Sequence, residues 1–291
     1  MSIWKKLMVF LSMRFLLCIP LMLLGGCSLF SPSLPPPLSW DLSGEALSFT
    51  HDMNDHNDPE MISFRLLHSI DDLKSKDESD YGTLKNIVNW THDLWTHNGV
   101  QEPSSPDPLT ILEEVAEGRN FRCVEYSVII VACAQSLGIP ARVLSLRRKD
   151  AETAEYGAGH VVAEVWIDEF QKWVMADGQA GVIPEMDGIP LNAVEFQMNI
   201  TRLDSGLTLH SSTGKNPRKY LEWISPYLYY FQVLVDQKFY PLSENQKREK
   251  IMLVPKGANK PTVFQRKYPI TDCTYISNPE KFYLPVQEFM E

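Results

Sequence analysis

Residues 118–146 read GRNFRCVEYSVIIVACAQSLGIPARVLSL, and their reading decides the fold. From Cys123 to Leu137 apolar residues run most of the way round a helical projection, the pattern of a helix buried on nearly all sides. Gly138 stands where a helix ends in a left-handed residue, and Pro140 blocks its continuation. Residues 141–148 alternate as a strand. A polar loop over 148–159 leads to HVVAEVWI at 160–167, the turn DEFQ, and KWVMADGQ at 172–179. These read as two strands of a hairpin. A helix followed by an antiparallel run of strands predicts an α+β fold.

Working outward, TLKNIVNWTHDLWTH at 83–97 has helical spacing. Thr83 is a candidate cap, Leu84, Ile87, Val88, Leu94 and Trp95 share a face, and Asn98-Gly99 can end the helix. Residues 108–117 form a shorter helix ending at Gly118. The cluster HDMNDHNDPE at 51–60 matches no closed zinc or calcium pattern, so no metal is expected and it reads as a solvated loop. Residues 200–291 hold short β-like runs between Pro, Gly, Asn and Lys. They read as a β-rich extension that either continues the sheet or caps it. The aromatic residues from Tyr227 to Phe231, with Tyr240, read as core.

The chain has 291 residues, 44% hydrophobic and 22% charged, long enough for a substantial core. Its first 26 residues have a basic start, an apolar stretch and small residues before a cysteine, the layout of an export signal. Leu24-Gly25-Gly26-Cys27 resembles a bacterial lipobox, which implies lipidation at Cys27. Residues 27–38 are rich in Ser and Pro and read as a tether. Residues 39–199 would hold the main domain and 200–291 the extension. Loss of residues 1–26 removes Lys5, Lys6 and Arg14 and takes the net charge from −10 to −13. That argues against nucleic acid as a partner. The expected location is exported and membrane-anchored, on an outer membrane or cell surface.

Three cysteines remain after Cys18 and Cys27, an odd number for an exported protein. Cys123 falls in the first turn of the expected helix, where backbone N–H groups and the helix dipole stabilise a thiolate. Arg122 adds a positive neighbour. Cys133, ten residues deeper, reads as an inert core thiol. A bridge from Cys133 to Cys273 would leave Cys123 as the single free thiol.

A thiolate nucleophile works with a histidine, and the histidine with an orienting carboxylate. His160 shares a strand face with Val162, Glu164 and Trp166. If Ile167 pairs with Lys172, Val162 pairs with Asp177. Asp177 is then diagonal to His160 and within side-chain reach, with Gln179 opposite the imidazole.

In the order Cys123, His160, Asp177, and around LGIPARVL, residues 80–180 resemble the transglutaminase-like superfamily. The resemblance implies a papain-like core, with a nucleophile helix packed on an antiparallel sheet. It implies that Cys123 is nucleophile, His160 general base and Asp177 its orienter. Trp90 and Trp95 are then candidates for stabilising the oxyanion. Val162 stands where the family commonly has an aromatic residue, and Gly178 where it commonly has proline. The expected function is thiol-dependent amide hydrolysis or acyl transfer on a protein or peptide substrate, with no cofactor. The alternative is a catalytically silent module that binds a cell-envelope partner.

Overall fold

The computed structural model describes residues 33–43, 49–239 and 248–286; the signal-like segment, Cys27 and Tyr240 lie outside them. The chain divides into two units, Met1–Ser33 and Leu34–Glu291, and every element below belongs to the second. Four helices come first: α1 (Pro59–Leu67), α2 (Asp80–Asp93), α3 (Pro108–Ala116) and α4 (Cys123–Ser136). Strands β1 (Ala141–Arg147), β2 (Gly159–Ile167) and β3 (Lys172–Ala176) follow. Then come β4 (Ile183–Met186), β5 (Ile189–Pro190), α5 (Ala193–Asn199), β6 (Leu207–His210) and α6 (Pro217–Ile224). The last elements are β7 (Tyr230–Leu234), β8 (Lys250–Leu253), β9 (Val263–Phe264), β10 (Tyr268–Pro269), β11 (Cys273–Ile276) and α7 (Pro279–Phe282).

Six strands form one sheet in the order β11-β8-β7-β1-β2-β3. Neighbours are antiparallel except β11 with β8 at one edge. The β2–β3 hairpin has the expected register, with Ile167 opposite Lys172 and Ala163 opposite Ala176. Both faces of the sheet are covered. On one, Ala163, Val165 and Val174 pack beneath α4, whose residues Ile129 to Ala134 are all buried. On the other, Leu144, Leu146, Val162 and Met175 pack with Phe196 of α5 and Leu221 and Ile224 of α6. Truncating such a fully buried side chain to alanine costs about 2–5 kcal/mol.

Residues 200–291 do both things considered for them. β7, β8 and β11 extend the central sheet, while α6 packs over the face that carries Val162. Tyr230 and Phe231 are buried, as their apolar character requires.

Four local expectations are corrected. Ser79, not Thr83, caps α2: its hydroxyl accepts from the Gly82 N–H at 2.9 Å. Thr83 is buried one turn in. The helix ends at Asp93 because residues 95–98 bond instead to the chain just ahead of α4. The 51–60 segment is not a solvated loop throughout, since His51 and Asn54 are buried and Pro59 opens α1. Of the stretch read as a tether, Leu34 and Leu38 pack against the second core. Gln197 holds it there, accepting from the Leu38 N–H and donating to the Pro36 carbonyl.

A buried ion pair crosses β1 and β2. Arg142 stands opposite Glu164 and donates to Glu164 Oε2 from Nη2 at 2.7 Å and from Nε at 3.0 Å. The guanidinium also meets His51 Nε2 at 3.0 Å and the Phe282 carbonyl at 3.2 Å. Glu164 Oε1 accepts from the Tyr283 hydroxyl and the Ala193 N–H. A buried pair is tolerable only when its remaining donors and acceptors are satisfied in this way.

Among the described residues no helix is long and apolar enough to cross a membrane. No group of His, Cys, Asp or Glu among them could hold a metal ion.

Candidate active site

Arg122 occupies the cap position of α4, so Cys123 is the first helical residue. The first-turn N–H groups of a helix have no acceptor within it and point at whatever sits there. The Cys123 thiol is hydrogen-bonded by His160, by His97 and by the Val161 N–H. His160 Nε2 donates to Asp177 Oδ2 at 2.9 Å, which leaves its other ring nitrogen for the sulfur. Asp177 accepts further bonds from the Tyr220 hydroxyl at 2.9 Å and the Ala180 N–H at 3.0 Å. Cys123, His160 and Asp177 are thus brought together as a contiguous chain of contacts.

The electrostatics follow from that geometry. Burial alone would raise the Cys123 thiol. The hydrogen bonds from His160 and His97, the charge of His160 and the Val161 N–H outweigh it and bring the thiol down to about 6. Burial opposes the His160 imidazolium, but the charge and hydrogen bond of Asp177, then those of Cys123, hold it well above its ordinary value. Asp177 is fully buried, which raises it. The His160 charge and three hydrogen bonds lower it below the usual carboxylate range. The arrangement favours a thiolate beside an imidazolium. Cys133 is the contrast: buried without such partners, it is pushed far up and remains a neutral thiol.

The Arg122 charge acts on Cys123 as expected, but it is shared with two carboxylates. Its guanidinium binds Glu102 and, at 2.8 Å, Glu125. Glu125 also accepts from the Arg122 N–H, closing the cap of α4. Cys123, Cys133 and Cys273 are all free, so no Cys133–Cys273 bridge forms.

Gln179 does not lie opposite His160. β3 ends at Ala176, and Asp177 opens a turn closed by reciprocal backbone bonds with Val182. The turn carries Gln179 away to meet Lys215, which donates to its carbonyl at 3.3 Å. Trp95 stacks on Tyr126, ring centroids 4.1 Å apart, and its indole N–H donates to the Phe121 carbonyl. Trp90 is half-buried against the first core.

Four residues unforeseen in the sequence complete the surroundings. His97 touches the thiol. Tyr220, Trp223 and Tyr227 come from the C-terminal third; the Trp223 ring lies edge-on to His160 at 4.9 Å and Tyr227 at 5.9 Å. Asn216, which caps α6, was the local signal for a helix there.

A family model described as the transglutaminase-like superfamily matches residues 69–178. These residues match a transglutaminase-like core. That span contains Cys123, His160 and Asp177 and stops at Gly178. Three solved structures similar to the chain have low overall superposition. A candidate cysteine protease from Cytophaga hutchinsonii is 16% identical, covering 53% of this chain and 52% of that one, with a TM-score of 0.33. A structure described as a TGase is 20% identical, covering 41% and 30%, TM-score 0.29. Red sea bream transglutaminase is 10% identical, covering 66% and 35%, TM-score 0.31. The chain therefore spans about half of the first and about a third of the others. No curated protein matches it.

Two neighbouring hollows flank the site. One, of about 620 Å³, is lined by His92, Thr96, His97, Asn120, Tyr126 and Gln179 among others. The second, about 290 Å³, runs past Lys215 and Lys219 to Tyr220 and Trp223. Gln179 and Lys215 line both.

Proposed function

We propose that this protein is an exported, lipid-anchored thiol enzyme that cleaves or transfers the acyl group of a peptide amide. The observation that carries the reading is the Cys123 thiol hydrogen-bonded to a His160 that is itself held by Asp177. The thiolate adds to the amide carbonyl carbon, and the carbonyl electron pair moves to oxygen. Collapse of that adduct expels the amine, which takes its proton from the His160 imidazolium. This leaves a thioester on Cys123 and a neutral imidazole. Water, losing a proton to His160, adds to the thioester, and collapse returns the carboxylic acid, the thiolate and the imidazolium. An amine in place of water gives transfer. Hydrolysis is favoured, since water is abundant outside a cell.

The two hollows carry Lys215 and Lys219 against one carboxylate, Asp93, in a chain with 37 acids and 27 bases. Neutral or acidic peptides fit that lining better than basic ones. Export and anchoring rest on the signal-like layout ahead of Cys27.

The second reading is a silent module that binds an envelope partner. It draws on the burial of His160, which is 2% exposed beneath Trp223 and Tyr227. One experiment separates the two. Wild-type and Cys123→Ala protein are incubated with a peptide library and with p-nitrophenyl acetate, and adducts are mapped by mass spectrometry. An acyl adduct on Cys123 of the wild type, absent from the variant, is the expected result. Wild-type protein that forms no adduct and cleaves no peptide would overturn the enzymatic reading.

A further inference from the structure

We infer that His97 is a second functional imidazole, donating a hydrogen bond to the carbonyl oxygen of the acyl donor as negative charge gathers there. This rests on the acyl-transfer reading above and names a catalytic residue within it. The argument starts from how His97 is held. It follows the C-terminal end of α2, in a stretch that belongs to no helix or strand. That stretch is stitched to the residues immediately before Cys123. The Asn98 N–H and the Trp95 indole N–H both donate to the Phe121 carbonyl, at 2.8 and 3.3 Å. The Thr96 N–H donates to Asn120 Oδ1 at 3.0 Å, and the Tyr126 hydroxyl to the Trp95 carbonyl at 2.7 Å. Four hydrogen bonds therefore fix His97 relative to the start of α4. Such rigidity is what a group aimed at a transition state requires.

The two imidazoles on the sulfur differ in their supports. His160 is buried and tied to Asp177, the arrangement of a proton carrier. His97 is exposed and, among the described residues, forms no ion pair with a carboxylate. It lines the larger hollow together with Asn120, Tyr126 and Gln179. A carbonyl carbon attacked by the thiolate brings its oxygen to within reach of donors around the sulfur. On the His160 side that space is roofed by Trp223 and Tyr227; on the His97 side it opens into the hollow. An imidazole carries an N–H donor in either charge state. The Cys123 N–H, at the first position of α4, supplies the second donor. Trp95 cannot serve, since its N–H is bound to Phe121.

The test uses full-length wild-type, His97→Leu and His97→Gln protein. The first readout is acylation of Cys123 by p-nitrophenyl acetate, a step that passes through an oxyanion. The second is alkylation by iodoacetamide across pH, a displacement that forms none. Because His97 is exposed, neither substitution removes core packing. His97→Leu is expected to slow acylation about 10²–10³-fold at pH values where the thiol is fully ionised. Its alkylation plateau should stay within about threefold of wild type, because the thiolate is intact. His97→Gln, which keeps an N–H donor, should recover about tenfold or more of the lost acylation rate. Equal acylation in His97→Leu and wild type overturns the inference. So does a loss of alkylation as large as the loss of acylation, which would make His97 a support for the thiolate alone. Wild-type protein that alkylates but never acylates overturns the acyl-transfer reading itself and the role of His97 with it.

Discussion

The Tyr220 hydroxyl donates to Asp177 Oδ2 at 2.9 Å, on the oxygen that also accepts from His160. Tyr220 belongs to α6, 43 residues beyond Asp177, so the C-terminal third helps to hold the acid. A hydrogen bond to a buried charged group contributes about 1.5–3 kcal/mol. Tyr220→Phe should lower unfolding free energy by about 1–3 kcal/mol and slow acylation of Cys123 about tenfold. Asp177→Asn should slow it more than about a hundredfold, because the imidazolium loses its counter-charge. Urea unfolding and stopped-flow acylation measure both. A Tyr220→Phe variant matching wild type in each would show that the hydroxyl is incidental.

The pH dependence of thiol reactivity has a defined sign. Cys123 is an acid held down to about 6, so its anion persists below the ordinary thiol range and is lost as pH falls through 6. Iodoacetamide labelling of Cys123 should drop about tenfold between pH 7 and pH 5. Cys133 and Cys273 are both pushed upward by burial and should label slowly at pH 7. His160 is raised, so its proton remains available above neutrality and activity should decline only in the alkaline range. Peptide mapping after timed labelling reads each thiol separately.

Gly178 accounts for the missing proline after Asp177. A Cβ there would lie 2.9 Å from Ile130 Cδ1 and 3.0 Å from Tyr126 Cβ, both on α4. The hairpin carrying Asp177 and the helix carrying Cys123 meet at this point. Gly178→Ala should destabilise the fold by about 1–3 kcal/mol. It should lower the acylation rate at saturating donor more than it raises KM, since it moves the acid rather than the hollow. A variant with unchanged stability and rate would show that α4 yields freely.

His51 makes stability depend on acid. Burial, then the Arg142 charge, hold it down from 6.5 to about 3. The unfolded chain binds a proton here below about 6.5 that the folded chain does not take up until about 3. The contribution is therefore complete above pH 6.5 and drains away as pH falls. Between pH 7 and pH 4 it amounts to up to about 3 kcal/mol. Urea midpoints measured across that range should fall less steeply for His51→Gln than for wild type. Parallel slopes would assign the acid sensitivity to other groups.

The parts of the site legible in the sequence are those set by local pattern. α4 announced itself by an apolar surface all round, bounded by Gly138 and Pro140. The β2–β3 register followed from strand alternation on either side of a short turn, and it put Asp177 near His160. The same extrapolation failed two residues further on, at Gln179, because reciprocal bonds between Asp177 and Val182 end the ladder. Alternation does not report where pairing stops. Nothing local in the sequence marked His97 or Tyr220 as a residue of the site. Each reaches the site through contacts between segments distant in sequence, Trp95–Asn98 on Asn120–Phe121 in one case and α6 on Asp177 in the other. Arg122 was legible as a charge beside Cys123, but not as one shared with carboxylates. A charge in a sequence does not disclose all its partners, and Glu102 and Glu125 share this one.

The Arg142–Glu164 pair lies wholly inside the span that matches the family, residues 69–178, yet its satisfaction comes from outside it. His51 precedes that span; Ala193, Phe282 and Tyr283 follow it. A fragment cut to the family boundaries would keep two opposite charges in an apolar sheet and strip both of their other partners. The span that matches the family is thus smaller than the unit that satisfies this pair. What lies beyond it on either side is masonry rather than ornament, and any trimming of this protein toward a minimal catalytic piece has to stop short of Tyr283.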